Sequence, residues 1–542
     1  MSLSLRRRFN SLVKIIMVRD FRVFHPFLFA FYPVVTIYTL NIFTLEISSI
    51  FRSIILLEIG TFITLALLRL LFKNWDRAGL MTTFIIVTFL YINYTYKIPG
   101  QMILFGASLK REAIVITIWI ILLVTLTSKW FWSHLSPKRV TNLLNIVSLI
   151  LLIFPLVPVL IASYLYLRDP LRDWELPGDN EIFKLPSNSK PEYLPDIYYI
   201  IVDGYGRADV LESMYGFDNS EFLQSLSDRG FFIAHRSQSN YIQTALSVSS
   251  SLNMQYLEFP ANATNSIDRS QLQKMIQNSK MRQFLELLGY KTIYISSGYL
   301  LLNDEGSDLY LSLDQEGLND FECLLLESGA SRFITEIFGF KYPNCGAFRH
   351  RQKIRYVFEK LTDVSSMEGP KFVFAHVIAP HPPFVFDRYG NPINSERPLE
   401  FWDGSLFQGS TREYVAGSNE QLIFVNNHLV SILDVILSNS KKPPIIILQS
   451  DHGPGASLDY NSIENSCLKE RFSILNAYYL TDGDDVLYES ISPVNTFRVI
   501  FDELFETDFG LIPDRQYFSS WSRPFNLIDV TENSETNCSI MD

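Results

Sequence analysis

The first third of the chain is dominated by apolar runs that are long enough to cross a lipid bilayer. A membrane-spanning helix needs roughly 17 to 25 consecutive, mostly apolar residues. The fourth of the runs found here is the shortest. Together they predict a bundle of five transmembrane helices within residues 1–167, at 26–45, 53–72, 78–96, 113–128 and 141–167.

The distribution of basic residues gives these helices an orientation. Cytoplasmic loops carry an excess of Lys and Arg. With the N-terminus in the cytoplasm, the inside segments hold 12 basic residues and the outside loops hold 4. A cleaved signal peptide is not expected, because four more apolar runs follow the first and no small-residue cleavage pattern does. We therefore expect an integral protein of the cell (inner) membrane, with everything after residue 167 outside the cytoplasm.

Beyond the membrane part, the hydrophobic pattern changes to short runs. Residues 168–195 are punctuated by prolines and lack apolar periodicity, which is typical of a linker. Short apolar runs then alternate with amphipathic stretches, which predicts an α/β domain over residues 196–542, with a mostly parallel sheet between helices. The predicted strands are 197–202, 231–234, 292–295, 372–378 and 445–448, and the predicted helices are 221–229, 281–288 and 421–437.

Charge and cysteine content also differ between residues 1–167 and the rest of the chain. Residues 1–167 carry a net charge of +11 and the remainder carries −22. Such an acidic second part excludes nucleic acid as a partner, because neutralising phosphates requires clustered Lys and Arg. All 4 cysteines also lie in this part, as expected for two disulfides in an oxidising compartment. Their connectivity cannot be read from the sequence, and free thiols remain an alternative.

Candidate metal ligands follow two of the predicted strands. Asp203 comes directly after the strand at 197–202, and Asp451 with His452 follows the strand at 445–448. Ligands in open α/β sheets collect at the carboxyl ends of the strands. Two carboxylates and an imidazole at that edge would suit one cation, although a carboxylate followed by glycine is also an ordinary turn sequence.

A hydroxyl group suited to nucleophilic attack stands at Thr244. Residues 245–252 can form a helix, so Thr244 is expected at a helix start, where free N–H groups and the helix dipole favour a phosphate. A Thr at this place is also a common N-cap. A hydroxyl becomes an effective nucleophile only when a base or a metal activates it. The candidate ligands after the two strands would hold that metal.

The chain resembles the alkaline phosphatase and sulfatase superfamily over residues 195–510. The matching segments occur in the order of that family, and they are IYYIIVDGYGR at 197–207, NYIQTALSVSSSLN at 240–253, HVIAPHPPF at 376–384 and ILQSDHG at 447–453. The resemblance implies that Thr244 is the nucleophile. It also implies a metal site formed by Asp203, Thr244, Asp451 and His452.

The resemblance also indicates the kind of ester and the number of metal ions. In true sulfatases the nucleophile arises from Cys or Ser in a C/S-x-P-x-R motif, whereas this chain reads TALSV from Thr244. This departure favours phosphate esters over sulfate esters. Two-metal members of the superfamily carry an Asp-x-x-x-His pair, but Val377 stands four residues before His381. One divalent ion is therefore expected, either Zn or Mn.

Five spans followed by such a domain look like the lipoteichoic acid synthases and the phosphoethanolamine transferases. This likeness implies that a phospho-alcohol group passes from a membrane phospholipid to Thr244, and then to a hydroxyl of an envelope glycan or lipid. It also implies that His381 contacts the substrate, where it would protonate the departing alcohol. Candidate substrate-binding residues are His376, Asn240 and Ser297, with a purely structural role as the alternative for His376.

Two other functions remain open from the sequence. In the first, water releases the intermediate, and the protein is a phosphoester hydrolase, or less plausibly a sulfoester hydrolase, of the same superfamily. In the second, the extracytoplasmic domain is inactive and the protein is a transporter or a scaffold. The presence of all four proposed ligands argues against this second alternative.

Overall fold

The computed structural model describes most of the chain. The described residues fall into two compact units, one within 1–164 and 318–345 and the other within 165–317 and 346–542. Most of the predicted linker at 168–195 lies outside the described residues, and the predicted domain boundaries stay a prediction. The described residues are 23–42, 45, 47–91, 101–104, 107–128, 136–171, 174, 194–313, 317–328, 345–393, 401–480 and 484–538.

The first unit has a helix at each of the five predicted spans. A short antiparallel pair of strands, β1 (Gln101–Leu104) and β2 (Ala107–Lys110), precedes the fourth helix. By length and composition, two helical stretches among the described residues of this unit can cross a membrane, Ile47–Phe72 and Pro137–Leu165. They support membrane insertion, but a bundle of five spanning helices stays a prediction. The helices are α1 (His25–Leu40), α2 (Phe51–Phe72), α3 (Trp75–Tyr91), α4 (Arg111–Thr127) and α5 (Pro137–Leu167).

The first unit also contains a helix from a distant part of the sequence, α11 (Asp320–Ser328). Its Phe321 is fully buried in a cluster with Val34 and Tyr38 of α1. Its neighbour Glu322 forms an ion pair with Arg52. This helix was not predicted, because its apolar face becomes apparent only once the membrane helices provide a partner surface.

The second unit is built on a mixed sheet of seven strands. The pairings from β8 to β6 are parallel, whereas β9 runs antiparallel to both of its neighbours. The mostly parallel sheet is thus confirmed, while the antiparallel edge was not predicted. Across the sheet the order is β4 (Phe232–Ile233), β9 (Asn476–Tyr479), β8 (Ile445–Gln449), β3 (Ile197–Val202), β7 (Lys371–Val377), β5 (Lys291–Ile295) and β6 (Leu309–Leu311).

Strand β3 lies at the centre of this sheet and is buried on both faces. Because successive side chains point to opposite faces, Tyr198, Ile200 and Val202 enter one hydrophobic cluster. The alternate residues Ile197, Tyr199 and Ile201 enter another. An uninterrupted apolar run is what a strand covered on both faces requires.

Helices cover both faces of the sheet. The longest, Thr411–Asn439, is also apolar enough to span a membrane, but its Leu422, Val425 and Leu429 are fully buried in the core of the second unit. Two short strands, Tyr517–Phe518 and Ile528–Asp529, pair near the C-terminus. The helices of this unit are α6 (Ala208–Tyr215), α7 (Ser220–Ser227), α8 (Thr244–Asn253), α9 (Ser270–Gln277), α10 (Lys280–Leu287), α12 (Gly346–Ser365), α13 (Thr411–Asn439), α14 (Leu468–Phe472) and α15 (Pro493–Phe505).

The four cysteines form two disulfides. Cys323 is bonded to Cys345, and Cys467 is bonded to Cys538. The second bond ties the C-terminal segment to the start of α14, close to the candidate ligands after β8. The pairing resolves a connectivity that the sequence left open.

Leu448 in β8 provides a test of this core. Truncation of a fully buried leucine creates a cavity and costs about 2–5 kcal/mol. Leu448→Ala should lower the unfolding midpoint in urea, followed by circular dichroism of the full chain in detergent. Leu511→Ala is the matched control, because Leu511 is 58% exposed whereas Leu448 is fully buried. Equal midpoints for the two variants would contradict the central position of β8.

Candidate active site

The candidate metal ligands meet at the carboxyl edge of the sheet. Asp203 directly follows β3, and Asp451 and His452 follow its neighbour β8. The His452 Nε2 atom lies 3.5 Å from Asp203 Oδ1 and 3.3 Å from Asp451 Oδ2. On the other side of β3, His376 of β7 places its Nε2 atom 3.3 Å from Asp203 Oδ2. Three adjacent parallel strands thus bring these four side chains together.

These side chains fit a divalent cation. In two groups of three residues, each residue offers one ligand atom and the three atoms lie within 4.8 Å of one another. The groups are Asp203 with His381 and His452, and Asp203 with His376 and Asp451. Among the described residues, Asp203 Oδ1, Asp451 Oδ2 and His376 Nε2 are buried without a hydrogen-bond partner. Leaving such atoms unpaired is unfavourable, and carboxylate and imidazole ligands are those that Zn²⁺ uses.

Thr244 lies at the same edge, at the start of helix α8. The helix N-cap is Gln243, so Thr244 is the first helical residue and does not serve as the cap. Its Oγ1 atom lies 3.2 Å from His452 Nε2. The Thr244 hydroxyl is half-buried and directed at the ligand cluster, beside the free N–H groups of the helix.

The glycines of the two motifs are explained by close contacts. Gly204 has a φ of +73°, and a Cβ atom there would lie 3.5 Å from the Cα atom of His381. A Cβ atom at Gly453 would lie 2.1 Å from the carbonyl oxygen of Glu470. The first glycine admits the turn that follows Asp203, and the second lets two backbone segments approach behind His452.

His381 lies on a loop that folds back over Asp203, since its backbone N–H donates to the Asp203 carbonyl oxygen at 3.0 Å. Its Nδ1 atom is 2.6 Å from the Pro382 carbonyl oxygen, and its Nε2 atom is 3.7 Å from Asp403 Oδ2. Burial acts to lower the pKa of His381, but the charges of Asp203 and Asp403 outweigh it and the pKa is raised. A raised pKa favours the protonated form, which can give a proton to a leaving group.

The three predicted substrate-binding residues differ in their surroundings. Ser297 Oγ lies 2.8 Å from His376 Nδ1, so Ser297 helps to orient the His376 ring. Asn240 has other partners, because its amide nitrogen donates to Ser492 Oγ and its oxygen accepts from the Val494 N–H. The amide of Asn240 therefore links the segment before Thr244 to α15, and we do not carry it into the proposed substrate contacts.

The sequence profile of the Sulfatase family matches residues 195–481, more than half of the 542 residues. The chain belongs to the sulfatase family. The matched range contains every residue of the cluster around Asp203. This sulfatase-family protein is therefore an enzyme, and the alternative of an inactive transporter or scaffold is not supported.

Two periplasmic domains are among the solved structures to which the chain is similar. The C-terminal periplasmic domain of EptC from Escherichia coli, in complex with Zn, is 10% identical, with 66% of this chain and 97% of that chain covered and a TM-score of 0.42. The corresponding domain of the phosphoethanolamine transferase EptC from Campylobacter jejuni is 13% identical, with 59% and 92% covered and a TM-score of 0.34. No curated protein sequence matches the chain significantly. Family membership rests on the profile, since both TM-scores are below 0.5.

Asp403 and Arg471 of this sulfatase-family protein were missed by the sequence analysis. Their side chains form an ion pair and are only 2% and 1% exposed. The Arg471 guanidinium also donates to the Ile242 carbonyl oxygen at 2.8 Å and to the Gly453 carbonyl oxygen at 3.0 Å. It thereby connects the segment before Thr244 to the segment after His452. Neither residue has a spacing or motif that could have indicated this role.

Replacing Arg471 tests whether this ion pair supports the site. Arg471→Met would remove the cation that pairs with the buried Asp403 carboxylate, and breaking a buried ion pair in this way costs about 3–5 kcal/mol. The thermal unfolding midpoint should fall clearly. The control is Arg229→Met, because Arg229 and its partner Asp434 are 22% and 56% exposed and such pairs contribute about 0.2–1 kcal/mol. Similar shifts for the two variants would contradict a supporting role of Arg471.

Proposed function

We propose that this sulfatase-family protein is a membrane-anchored, metal-dependent transferase. It moves a phospho-alcohol group from a membrane phospholipid to a hydroxyl of an envelope glycan or lipid, at the outer face of the membrane. The observation that carries the proposal is the 3.2 Å distance between Thr244 Oγ1 and His452 Nε2, at the N-terminus of a ten-residue helix. A hydroxyl in this position is placed both for activation and for holding a phosphate.

The residue at the nucleophile position favours phosphate over sulfate. The chain reads TALSV from Thr244 and lacks the Cys or Ser, the Pro and the Arg of the C/S-x-P-x-R motif. An unmodified threonine hydroxyl can form a phosphate ester directly. The helix start supports such an ester, because its free N–H groups can donate to the phosphoryl oxygens.

The proposed reaction has two halves. A divalent ion, Zn or Mn, held by Asp203, Thr244, Asp451 and His452 would lower the pKa of the threonine hydroxyl and neutralise charge on the phosphoryl oxygens. The half-buried Thr244 hydroxyl releases its proton to solvent and Oγ1 attacks the phosphorus, while the bond from phosphorus to the lipid alcohol oxygen breaks and protonated His381 gives that oxygen its proton. In the second half, the acceptor hydroxyl gives its proton to His381 and attacks the phosphothreonine, the bond from phosphorus to Thr244 Oγ1 breaks, and Oγ1 takes a proton from solvent, which restores the hydroxyl.

The phosphothreonine intermediate gives a direct test. Full-length protein with bound metal, exposed to isotopically labelled phospholipids in detergent, should carry a labelled group on the peptide that contains Thr244. Mass spectrometry of that peptide gives the mass of the transferred group. Thr244→Ala should abolish the label and turnover, whereas Thr264→Ala, in a loop of the same unit, should change neither.

The same experiment separates a transferase from a hydrolase. In the presence of acceptor lipids or glycans, a transferase places the labelled group on the acceptor. If the label appeared only as free phospho-alcohol, with Thr244 still required, the transferase proposal would be replaced by phosphoester hydrolysis. Full turnover by Thr244→Ala would overturn the assignment of the nucleophile.

The proton transfer by His381 predicts a dependence on the leaving group. His381→Gln should lower turnover by about 10²–10⁴-fold for an alkyl phosphodiester, whose alcohol needs a proton to leave. Turnover of a p-nitrophenyl phosphodiester should fall much less, because p-nitrophenolate leaves without taking up a proton. The control is His235→Gln, since His235 is exposed. Equal losses for the two substrates would argue that His381 binds substrate without donating a proton.

A further inference from the structure

His376 is a buried histidine of the active site that has no part in the proposed reaction. It lies in β7, where its backbone pairs with Ile201 of β3, two residues before Asp203. Its side chain is only 1% exposed, and the other residues from Phe372 to Val377 are apolar. Burying an imidazole in such a strand is unfavourable unless its nitrogens find partners. The position of His376 in the strand therefore calls for a specific role.

A hydrogen bond fixes the orientation of the His376 ring. The Nδ1 atom lies 2.8 Å from Ser297 Oγ, and Ser297 is held in turn because its Oγ atom accepts from the Tyr299 N–H. The opposite ring nitrogen, Nε2, consequently faces the active site and lies 3.3 Å from Asp203 Oδ2. A histidine that binds a metal through one ring nitrogen is ordinarily oriented by a hydrogen bond at the other. His376 and Ser297 have this arrangement.

The Nε2 atom of His376 belongs to one of the two groups of candidate ligands at this edge of the sheet. Its partners are Asp203 and Asp451, and the three ligand atoms lie within 4.8 Å of one another. Among the described residues, His376 Nε2, Asp203 Oδ1 and Asp451 Oδ2 are all buried without a hydrogen-bond partner. A protonated His376 would pair with Asp203, but in the part of the chain that the structure describes Nε2 donates no hydrogen bond to that carboxylate. A cation between the three atoms satisfies all of them at once.

Ions can reach this group from the side of Thr244. The Thr244 side chain is half-buried, and the His381 side chain is 11% exposed. Both lie against His452, because Thr244 Oγ1 is 3.2 Å from His452 Nε2 and the two imidazole ring centroids are 6.0 Å apart. His452 Nε2 is in turn 3.3 Å from Asp451 Oδ2. The buried ligand group therefore adjoins side chains that reach the solvent.

We propose that His376 is a ligand of the active-site metal ion. Its Nε2 atom adds a second imidazole nitrogen to the set of Asp203, Thr244, Asp451 and His452. Four protein ligands, the number that is typical of zinc sites, then remain without the Thr244 hydroxyl. The inference rests on the metal dependence of the proposed function, but not on the nucleophile or on the transferred group.

X-ray absorption spectroscopy tests this ligand without requiring turnover, because the carbon atoms of a coordinated imidazole ring add characteristic scattering beyond the first shell. Full-length protein in detergent is loaded with one equivalent of Zn per chain. The unmodified protein should show two imidazole ligands, from His376 and His452, and His376→Gln should show one. His381→Gln is the matched control and should retain both, because His381 is assigned to the substrate.

The affinity for Zn, measured by competition with a chromophoric chelator, gives a second readout. Ser297→Ala should weaken Zn binding by about 10–100-fold, because it removes the group that orients the ring, and His376→Gln should weaken it by at least as much. His235→Gln, at an exposed histidine of the same unit, should bind Zn like the unmodified protein. The unfolding midpoint of metal-free His376→Gln should change little. A purely structural role for His376 would instead lower that midpoint and leave the number of imidazole ligands unchanged.

Two results would overturn this inference alone. One is a single imidazole ligand in the unmodified protein. The other is a second imidazole that His376→Gln retains and His381→Gln loses, which would assign it to His381, the member of the other candidate group with Asp203 and His452. Either result leaves the proposed function in place, since Zn remains bound. An unmodified protein that binds no Zn or Mn would contradict the metal dependence of the proposed function, and this inference with it.

Discussion

The parallel pairing of β3 with both β8 and β7 is the constraint on which the site depends. Parallel neighbours end at the same edge of a sheet, and the side chains that follow β3 and β8 therefore meet there. His376 joins them from the strand on the other side, with its Nε2 atom 3.3 Å from Asp203. The pairing holds because the apolar run of β3 is covered on both faces and Asp203 follows it directly, so a shift in register would draw a charged side chain into the core.

The second requirement is that the buried charges of the site are compensated. Asp203, Asp403 and Asp451 lie in one desolvated region with His376, His381 and His452. Part of this charge is balanced within the protein, since Arg471 pairs with Asp403 and also anchors the backbone at Ile242 and Gly453. The balance is incomplete at Asp203 Oδ1 and Asp451 Oδ2, which are buried and accept no hydrogen bond among the described residues. A divalent cation would complete it, and the same cation would supply the Lewis acidity that a threonine nucleophile needs.

The sequence by itself determined the central strands, the apolar helices and the identity of the chemistry-bearing residues. Uninterrupted apolar runs specify buried strands, and the residues after them lie where parallel strands end. The antiparallel β9, helix α11, the disulfide pairing and the ion pair of Asp403 with Arg471 were decided by tertiary structure, because each depends on a partner distant in the chain. The contacts of Asn240 with Ser492 and Val494 were also decided by packing, while its predicted role in substrate binding stays a prediction. The local amino-acid sequence shows which chemical groups are present, whereas the packing of distant segments decides which of these groups contact one another.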